Sequence, residues 1–204
     1  MNLNNMEFYT TIEQPSQAEF KDRGSRFLAF AFPATSATEF KAQLQILKKE
    51  HPKAVHYCFA YRFGLDGNQF RVSDDGEPAG TAGKPILGQI DSKGLTDIAV
   101  VVIRYFGGTL LGVPGLINAY KTTSSLVLQV VPLVQKPVLK RFVLQFDYTQ
   151  MNDVMVMLRQ LNILVIKQET MLFSELEIGV PPGRIEELLY RVKNLRNVEV
   201  RNLL

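Results

Sequence analysis

Residues 73–85 place the strongest conformational constraint on this chain, because S-D-D-G-E-P-A-G-T-A-G-K-P combines three glycines, two prolines and three carboxylates. Glycine permits a positive φ and proline fixes φ, so the segment is predicted to be a shaped loop in which Gly80 or Gly83 has a positive φ. A short helix is predicted to follow near residues 84–92. Two interpretations stay open: N–H groups at the helix start hold an anion or a carboxylate, or the acidic residues only cap a solvated turn.

The same segment lacks the pattern of a nucleotide-binding phosphate loop. Such a loop has a glycine five residues before its Gly-Lys pair and Ser or Thr after the lysine, whereas Pro78 and Pro85 stand at those positions here. A nucleotide site of that class is therefore not predicted.

Apolar periodicity predicts strands on either side of the loop. Residues 54–63 alternate strictly, which places His56 and Cys58 on one face of a strand and aromatic side chains on the other. The continuous apolar run at 97–106 is typical of a strand buried on both faces. Further strands are predicted at 7–13 and 26–32.

Two longer helices are also predicted. Ser36 and Glu39 form an S-x-x-E capping box ahead of apolar residues at helical spacing, and Pro52 ends that helix. Pro114 and Gly115 open a second helix that runs to about residue 131. Its predicted buried side comprises Ile117, Tyr120, Leu126, Val127 and Val130.

A proline-marked connector at 135–137 predicts a domain boundary, with one domain at 1–135 and a second at 136–204. The second domain begins with an alternating strand at 142–148 and a helix that carries Met151, Val154, Met155 and Leu158. Strands at 163–169 and 173–180 around a turn at Thr170, a helix at 185–192 and a strand at 198–200 complete the order βαββαβ. This order is ferredoxin-like, so the expected fold class is α+β with two domains.

Composition indicates a folded chain without a strong electrostatic preference for nucleic acid. Of the 204 residues, 46% are hydrophobic and 21% are charged, which permits a sizeable core. The net charge is +3, with 13 basic against 12 acidic residues in 1–135 and 10 against 8 afterwards. Apolar runs are too short to span a bilayer and the single cysteine suits a reducing compartment, so a cytoplasmic location without membrane contact is expected.

His56 and Cys58 are the first candidates for chemistry. They stand two residues apart on one strand face, so a Cys–His nucleophilic pair is one interpretation. The other is a small buried thiol beside a hydrogen-bonded histidine, which the residues by themselves favour.

The acidic residues and the end of the buried strand are the other candidates. Asp74, Asp75 and Glu77 carry oxygen ligands suited to a hard cation, but their spacing differs from a Ca²⁺ loop. Arg104 either grips a phosphate in the space cleared by Gly107 and Gly108 or forms an internal ion pair with the acidic loop. No metal or cofactor is expected.

Four stretches of the chain, some of them already described, together form a specific combination of motifs. They are Ser25-Arg26-Phe27, His56-x-Cys58-x-Ala60, residues 73–85, and V-V-I-R-Y-F-G-G-T-L-L-G at 101–112 with Gly115-Leu116 and Ala119-Tyr120 following. This combination resembles the IMPACT/YigZ family. The residues after Pro137 resemble the smaller C-terminal domain of its bacterial, YigZ-like branch.

The resemblance implies a fold and a theme of function. The larger domain of such proteins resembles the ribosomal protein S-five domain-two fold of elongation factor G domain IV, and the smaller domain resembles domain V of that factor. Eukaryotic relatives regulate translation through a protein partner, which is not carried over to this chain. The expected function is a non-enzymatic, translation-associated binding of RNA or the ribosome, with a protein of the translation machinery as a further partner.

One surface, made of the glycine-rich loop and the turn at 104–108, is expected to meet a phosphate-bearing partner. Its expected residues are Arg26, Arg62, Ser73, Asp74, Asp75, Gly76, Glu77, Gly80, Thr81, Gly83, Lys84, Arg104, Tyr105, Gly107, Gly108 and Lys121. The helix start presents N–H groups, which suit phosphate. The carboxylates oppose an anion unless they cap N–H groups or pair with Arg62 and Arg104.

An enzyme is the alternative. A small hydrolase or peptide-processing enzyme would use His56, Cys58 and the acidic loop. The chain has only two histidines and shows no complete triad, metal-ligand set or nucleotide motif, so the non-enzymatic function is preferred.

Overall fold

A computed structural model of the chain describes residues 7–170 and 173–203. The fold is α+β and divides into two compact units. The larger unit runs from Tyr9 to Lys136, and the smaller unit contains the residues from Pro137 onwards together with the described residues up to Phe8. No helix in the described ranges is long and apolar enough to cross a membrane.

The larger unit is built on a five-stranded antiparallel sheet with helices on both faces. Its elements are β1 (Phe8–Ile12), β2 (Ser16–Asp22), β3 (Ser25–Pro33), α1 (Ala37–Glu50), β4 (His56–Phe63), β5 (Gln69–Ser73), α2 (Gly83–Ser92), β6 (Ile98–Tyr105), α3 (Gly112–Val130) and β7 (Leu133–Pro137). The sheet has the order β2-β3-β6-β4-β5, and β1 pairs separately with β7. Every neighbouring pair within the five strands is antiparallel.

β6 lies at the centre of this sheet and is buried on both faces. Its residues 98–103 have no exposed surface, because α1 covers one face and α2 and α3 cover the other. The α1 face holds packed aromatic side chains, among them Phe40 and Phe59 with ring centroids 4.6 Å apart. The opposite face packs Ile86 and Tyr120 against the strands. The strand predicted at 97–106 is confirmed as β6, which is buried at 98–104, whereas Phe106 just after it is 49% exposed. The alternation of β4 is also confirmed.

Local signals place the start of α1 as predicted. Ser36 Oγ accepts the N–H of Glu39 at 3.3 Å, which is the first half of a capping box. The Glu39 carboxylate accepts the N–H and the hydroxyl of Thr35, the residue before the cap, at 2.8 Å and 3.1 Å. The predicted helices near 84–92 and 114–131 are also confirmed, as α2 and α3.

Two expectations about α3 are wrong. Ile117 and Val130, assigned to its buried side, are 38% and 61% exposed, while Tyr120 and Val127 are buried as predicted. The buried stripe also includes the polar residue Thr123, which is fully buried. Small hydroxyl-bearing residues therefore take part in the packed face, and the apolar pattern by itself misplaces that face.

Three strands were not predicted from the sequence. β2 and β5 are the edges of the five-stranded sheet, and β7 belongs to the two-stranded pair. Their side chains are exposed or half-buried along most of their length. Edge strands tolerate charged and polar residues, so the alternation that identifies a strand is weak there.

The smaller unit has the predicted order βαββαβ. Its elements are β8 (Lys140–Phe146), α4 (Met151–Gln160), β9 (Leu164–Thr170), β10 (Ser174–Val180), α5 (Ile185–Lys193) and β11 (Val198–Asn202). The antiparallel sheet has the order β11-β8-β10-β9, and its core is an apolar cluster of strand and helix side chains. The turn expected around Thr170 includes residues 171 and 172, which lie outside the described residues.

Candidate functional site

The carboxylate of Asp74 closes the glycine-rich loop onto the start of α2. Its Oδ1 accepts the N–H groups of Ala82 and Gly83, and its Oδ2 accepts that of Gly80, each at 2.9 Å. Gly80 has a φ of 78°, as predicted for one of the two glycines. Burial raises the pKa of Asp74, but the three N–H bonds and Lys84 outweigh that effect and hold the pKa below its ordinary value. The anion at this helix start is the protein's own carboxylate.

Asp75 anchors the loop to β4 through its side chain and its backbone. Its Oδ2 accepts the N–H of Tyr57 at 2.6 Å, and its carbonyl oxygen lies 2.7 Å from Nδ1 of His56. A carbonyl oxygen only accepts, so Nδ1 carries the proton and, in the neutral ring, Nε2 of His56 presents a lone pair. Asp75 and Gly76 have φ values of 42° and 89°, and a Cβ on Gly76 would lie 3.4 Å from the His56 ring.

Glu77 and Arg104 form an ion pair beneath the loop. Nη1 of Arg104 donates to Oε1 of Glu77 at 2.7 Å, and the two side chains are only 6% and 3% exposed. The Tyr120 hydroxyl donates to the same oxygen at 2.7 Å. Nη2 of Arg104 donates to Ser25 Oγ at 3.3 Å, and this hydroxyl oxygen accepts the N–H of Gly107 at 3.2 Å. Arg104 therefore makes the internal ion pair that was one of its two interpretations.

Cys58 is fully buried on the same sheet face. Its thiol lies 3.3 Å from the Tyr120 hydroxyl and 3.0 Å from the carbonyl oxygen of Asp74. Burial raises the pKa of Cys58 well above its ordinary value, so the group is a neutral thiol at physiological pH. Its bonds go to Tyr120 and Asp74 and not to His56. This geometry fits a structural thiol better than an activated nucleophile.

Beside the ion pair, a cleft of about 360 Å³ opens to solvent. His56, Glu77 and Arg104 contribute its polar surface, and most of its other lining side chains are apolar residues that follow β6. The guanidinium carbon of Arg104 lies 5.5 Å from the ring centroid of Phe106 and 5.4 Å from that of Phe27. The arginine is thus held by aromatic rings as well as by the carboxylate.

A second concave surface, the α2–α3 groove, lies between those two helices and has a volume of about 230 Å³. Its lining residues are Gln89 of α2 with Asn118, Lys121, Thr122, Ser125, Leu126 and Gln129 of α3. Amide and hydroxyl groups dominate this lining, Lys121 is its only cation, and none of its residues is acidic.

The structure brings the glycine-rich loop and the turn at 104–108 together through the Glu77–Arg104 ion pair. A Cβ on Gly107 would lie 1.9 Å from the carbonyl carbon of Gly24, so this glycine permits the close approach of two backbones. Gly108 has a φ of 84° and open space around it.

Smaller hydrogen bonds shape the rest of the loop. Ser73 Oγ accepts the N–H of Asp75 at 3.3 Å, and the buried Thr81 hydroxyl donates to the carbonyl oxygen of Pro78 at 2.7 Å. Lys84 is exposed in the first turn of α2. Of the expected loop residues, Lys84 is the cation that stays available to a partner.

Arg26 and Tyr105 do not belong to the loop surface. They are register partners in β3 and β6, and Tyr105 follows Arg104, so alternation places both on the opposite face of the sheet. Nε of Arg26 pairs there with Glu19 at 2.9 Å. The single surface expected from the sequence is therefore wrong for these two residues.

Arg62 also serves another purpose than the one expected. It pairs with Asp91 at 2.7 Å, near the end of α2 and away from the loop carboxylates at its start. Asp74 caps N–H groups and Glu77 pairs with Arg104, so the carboxylates are satisfied without Arg62. Among the described residues, no group of three His, Cys, Asp or Glu side chains is placed to hold a metal ion.

Two members of the polar network, Ser25 and Tyr120, were absent from the expected site residues. Both lie in stretches that carry the family resemblance, which is the signal that could have identified them. Periodicity alone assigned Tyr120 to a helix core, which is correct for its ring but does not reveal the partner of its hydroxyl.

Comparison with known proteins agrees with this architecture. The model of the Impact N-terminal domain matches residues 23–128. IMPACT family member YigZ of Escherichia coli (strain K12) is 36% identical over 184 residues, which cover 89% of this chain and 90% of that protein. IMPACT family member YvyE of Bacillus subtilis (strain 168) is 30% identical over 210 residues, which cover 94% and 97%. A crystal structure of a hypothetical protein aligns with a TM-score of 0.76 at 30% identity, covering 98% of both chains.

These matches define a class of two-domain α+β proteins that share both units with this chain. The protein belongs to the IMPACT family. The resemblance found in the sequence is thus confirmed over nearly the whole length.

Proposed function

We propose that this protein is a non-enzymatic, translation-associated protein that binds RNA, free or within the ribosome, in the cytoplasm. Family membership supports the theme of translation, because the resemblance implies that role for the eukaryotic relatives. The single buried cysteine suits the reducing cytoplasm. A protein of the translation machinery is a further expected partner.

The lining of the α2–α3 groove is the main observation that supports the proposed RNA contact. Its lining combines amides and hydroxyls, which contact sugars and base edges, with a lysine that attracts phosphate. No lining carboxylate repels the backbone. Lys84 is exposed in the first turn of α2, the helix that contributes Gln89 to the groove, and is proposed as a second cationic contact outside the groove lining.

The residues proposed here to contact phosphate are fewer than those expected from the sequence. Asp74 occupies the α2 N-terminus, so a phosphate has no free N–H cluster there. Arg104 is buried and ion-paired, so its charge is neutralised within the unit. Lys84 and Lys121 are therefore the residues proposed to contact phosphate.

The enzyme alternative receives little support from the geometry. Cys58 is a neutral, buried thiol, and Nδ1 of His56 is engaged by a backbone carbonyl. Purified protein screened against hydrolase, peptidase and phosphatase substrates is expected to show no turnover. Turnover that is lost in Cys58→Ala or His56→Ala would replace the binding function with an enzymatic one.

Titration of labelled single-stranded RNA at several salt concentrations tests the binding function. Lys84→Ala and Lys121→Ala should each weaken binding and reduce the salt slope by about 0.7, since each removes one phosphate contact. Lys41→Ala is the matched control, because Lys41 is an exposed helical lysine on α1, which covers the opposite sheet face.

Sedimentation of tagged protein through lysate gradients, with crosslinked RNA identified, locates the partner. Unchanged affinity and unchanged salt slope in both folded lysine variants would reject the assigned surface. Absence of any RNA or ribosomal fraction in the gradient, together with no binding in the titration, would reject the function itself.

A further inference from the structure

The cleft beside Glu77 exposes large apolar side chains around a polar floor. Phe106, Leu110 and Val113 line it and are 49%, 81% and 52% exposed. Single exposed apolar residues are common, but three at one cleft indicate a surface that is covered when a ligand binds. The volume of about 360 Å³ lies at the lower end of the range for small-molecule sites.

One part of the cleft presents hydrogen-bond acceptors. Oε1 of Glu77 takes the bonds from Arg104 and Tyr120, and Oε2 has no hydrogen-bond partner in the described part of the chain. This carboxylate is 97% buried and lines the cleft. Nε2 of His56 lies 3.9 Å from Oε1 of Glu77, and in the neutral ring it presents a lone pair, because Nδ1 donates to the carbonyl oxygen of Asp75. Together these two acceptors suit an ammonium group.

Another part of the cleft presents hydrogen-bond donors. α3 begins at Gly112 with no side-chain cap and no acidic residue in its first turn. Gly112 has a φ of 70°, so the helical backbone conformation starts at Val113. The N–H groups of both residues precede the first intrahelical bond, and both residues line the cleft. The N-terminus of this 19-residue helix therefore offers two donors and a partial positive charge to a carboxylate.

We propose that this cleft binds a free α-amino acid with an apolar side chain. Its ammonium group is held by Glu77 Oε2 and His56 Nε2, and its carboxylate by the N–H groups of Gly112 and Val113. Its side chain packs against the exposed apolar wall. The ligand has no net charge, which suits the polar floor of the cleft, because Glu77 and Arg104 already neutralise each other there. This inference is independent of the proposed RNA contact, since the cleft and the α2–α3 groove share no lining residue.

Titration with three related compounds, followed by ¹H–¹⁵N NMR spectra of the full chain, tests the assignment. L-Leucine carries both charged groups, 3-methylbutylamine lacks the carboxylate, and 4-methylpentanoate lacks the ammonium group. Leucine is expected to shift the amides of Gly112 and Val113 saturably. Each half-molecule should bind about tenfold weaker or worse, because it leaves one set of partners unused.

Val113→Asp tests the donor part without disturbing the core. Val113 is half-exposed in the first helical turn, where an acidic residue is favourable, so the variant is expected to fold. The new carboxylate competes for the N–H groups and repels that of the ligand, so leucine should bind about tenfold weaker or worse while 3-methylbutylamine should not lose affinity. Val156→Asp, an equally apolar exposed position on α4, is the matched control.

Three results would overturn the assignment. They are no saturable shift with leucine, binding of either half-molecule as tight as that of leucine, and leucine affinity in folded Val113→Asp equal to that in Val156→Asp. The RNA titration is read separately, so failure here leaves the proposed RNA contact to be judged on its own data.

Discussion

The two units bury polar groups in different ways, although both contain an arginine–glutamate pair at 2.7 Å. Glu77 and Arg104 of the larger unit are almost fully enclosed. Arg141 and Glu177 of the smaller unit form their pair on the sheet surface, with side chains 62% and 20% exposed. Among the described residues, Ser174 is the one buried polar residue of the smaller unit, whereas the larger unit buries Thr11, Ser25, Glu77, Thr81, Thr96, Arg104, Thr123 and Ser124.

The larger unit therefore contains a site whose polar side chains are fixed by buried contacts, whereas the smaller unit is a scaffold with an apolar core. A buried ion pair gains little net stability over apolar packing of the same volume, because desolvation offsets the attraction. The pair of the larger unit instead links the glycine-rich loop to β6. The smaller unit is held by an apolar core, for which hydrophobic pattern and volume are sufficient.

The largest expected effect is the loss of the buried pair. Arg104→Ala leaves Glu77 charged and enclosed, so the larger unit should lose about 3–5 kcal/mol of unfolding free energy. Arg141→Ala, the matched change in the surface pair, should cost less than about 1 kcal/mol. Denaturant unfolding followed by NMR signals from each unit measures both values. Equal costs in the two variants would contradict the contrast between the units.

A double variant sharpens that first test. Replacing Glu77 and Arg104 together by methionine removes both charges and retains apolar volume, so most of the lost stability should return. Continued instability of the double variant would show that hydrogen bonds from Tyr120 and Ser25 carry the stabilisation instead.

The next effect comes from backbone packing in the loop. A Cβ on Gly83 would lie 2.8 Å from the backbone nitrogen of Ser73, so Gly83→Ala should cost about 1–3 kcal/mol. Gly88 lies in the same helix with nothing within 4 Å, so Gly88→Ala should be neutral or stabilising by up to about 1 kcal/mol. Melting temperatures of the two variants provide the measurement, and equal values would remove the close-approach argument.

The cap at α2 predicts a pH dependence. The folded-state pKa of Asp74 is depressed, so its charge stabilises the fold above the unfolded pKa of about 3.9, and this contribution is lost as the pH falls through the lower folded pKa. Asp74→Asn should therefore cost about 1 kcal/mol at neutral pH, and its difference from the natural protein should shrink below about pH 4.

Urea unfolding at a series of pH values follows this difference. Asp153→Asn is the control, since Asp153 is exposed in the first turn of α4 in the smaller unit. A cost of Asp74→Asn that stays constant down to acidic pH would show that the charge of Asp74 does not stabilise the loop.

The smallest expected effect concerns the polar residue that the smaller unit buries. Ser174 is fully enclosed and its Oγ has no partner among the described residues. Ser174→Ala should therefore leave stability unchanged or raise it by up to about 1 kcal/mol, as seen by denaturant midpoint. A clear loss of stability would show that this hydroxyl belongs to a polar network like that of the larger unit.

Residues close in sequence carried enough information to predict most of the fold. The alternation of β4, the continuous burial of β6 and the capping box at Ser36 depend on side-chain period and local hydrogen bonds. The order βαββαβ of the smaller unit follows from the same one-dimensional patterns. A positive φ at Gly80 or Gly83 was predictable because few other residues adopt that conformation, and Gly80 is the one that has it.

The tertiary structure alone decided the partners of the charged residues. Arg104 stands 27 residues from Glu77 and 79 from Ser25, and strand register together with the path of the loop brings them together. Register also pairs Arg26 with Tyr105, which puts it on the sheet face away from Arg104. Local sequence defines which conformations are accessible, but a contact between distant residues depends on how whole elements pack, and that information is spread over the entire chain.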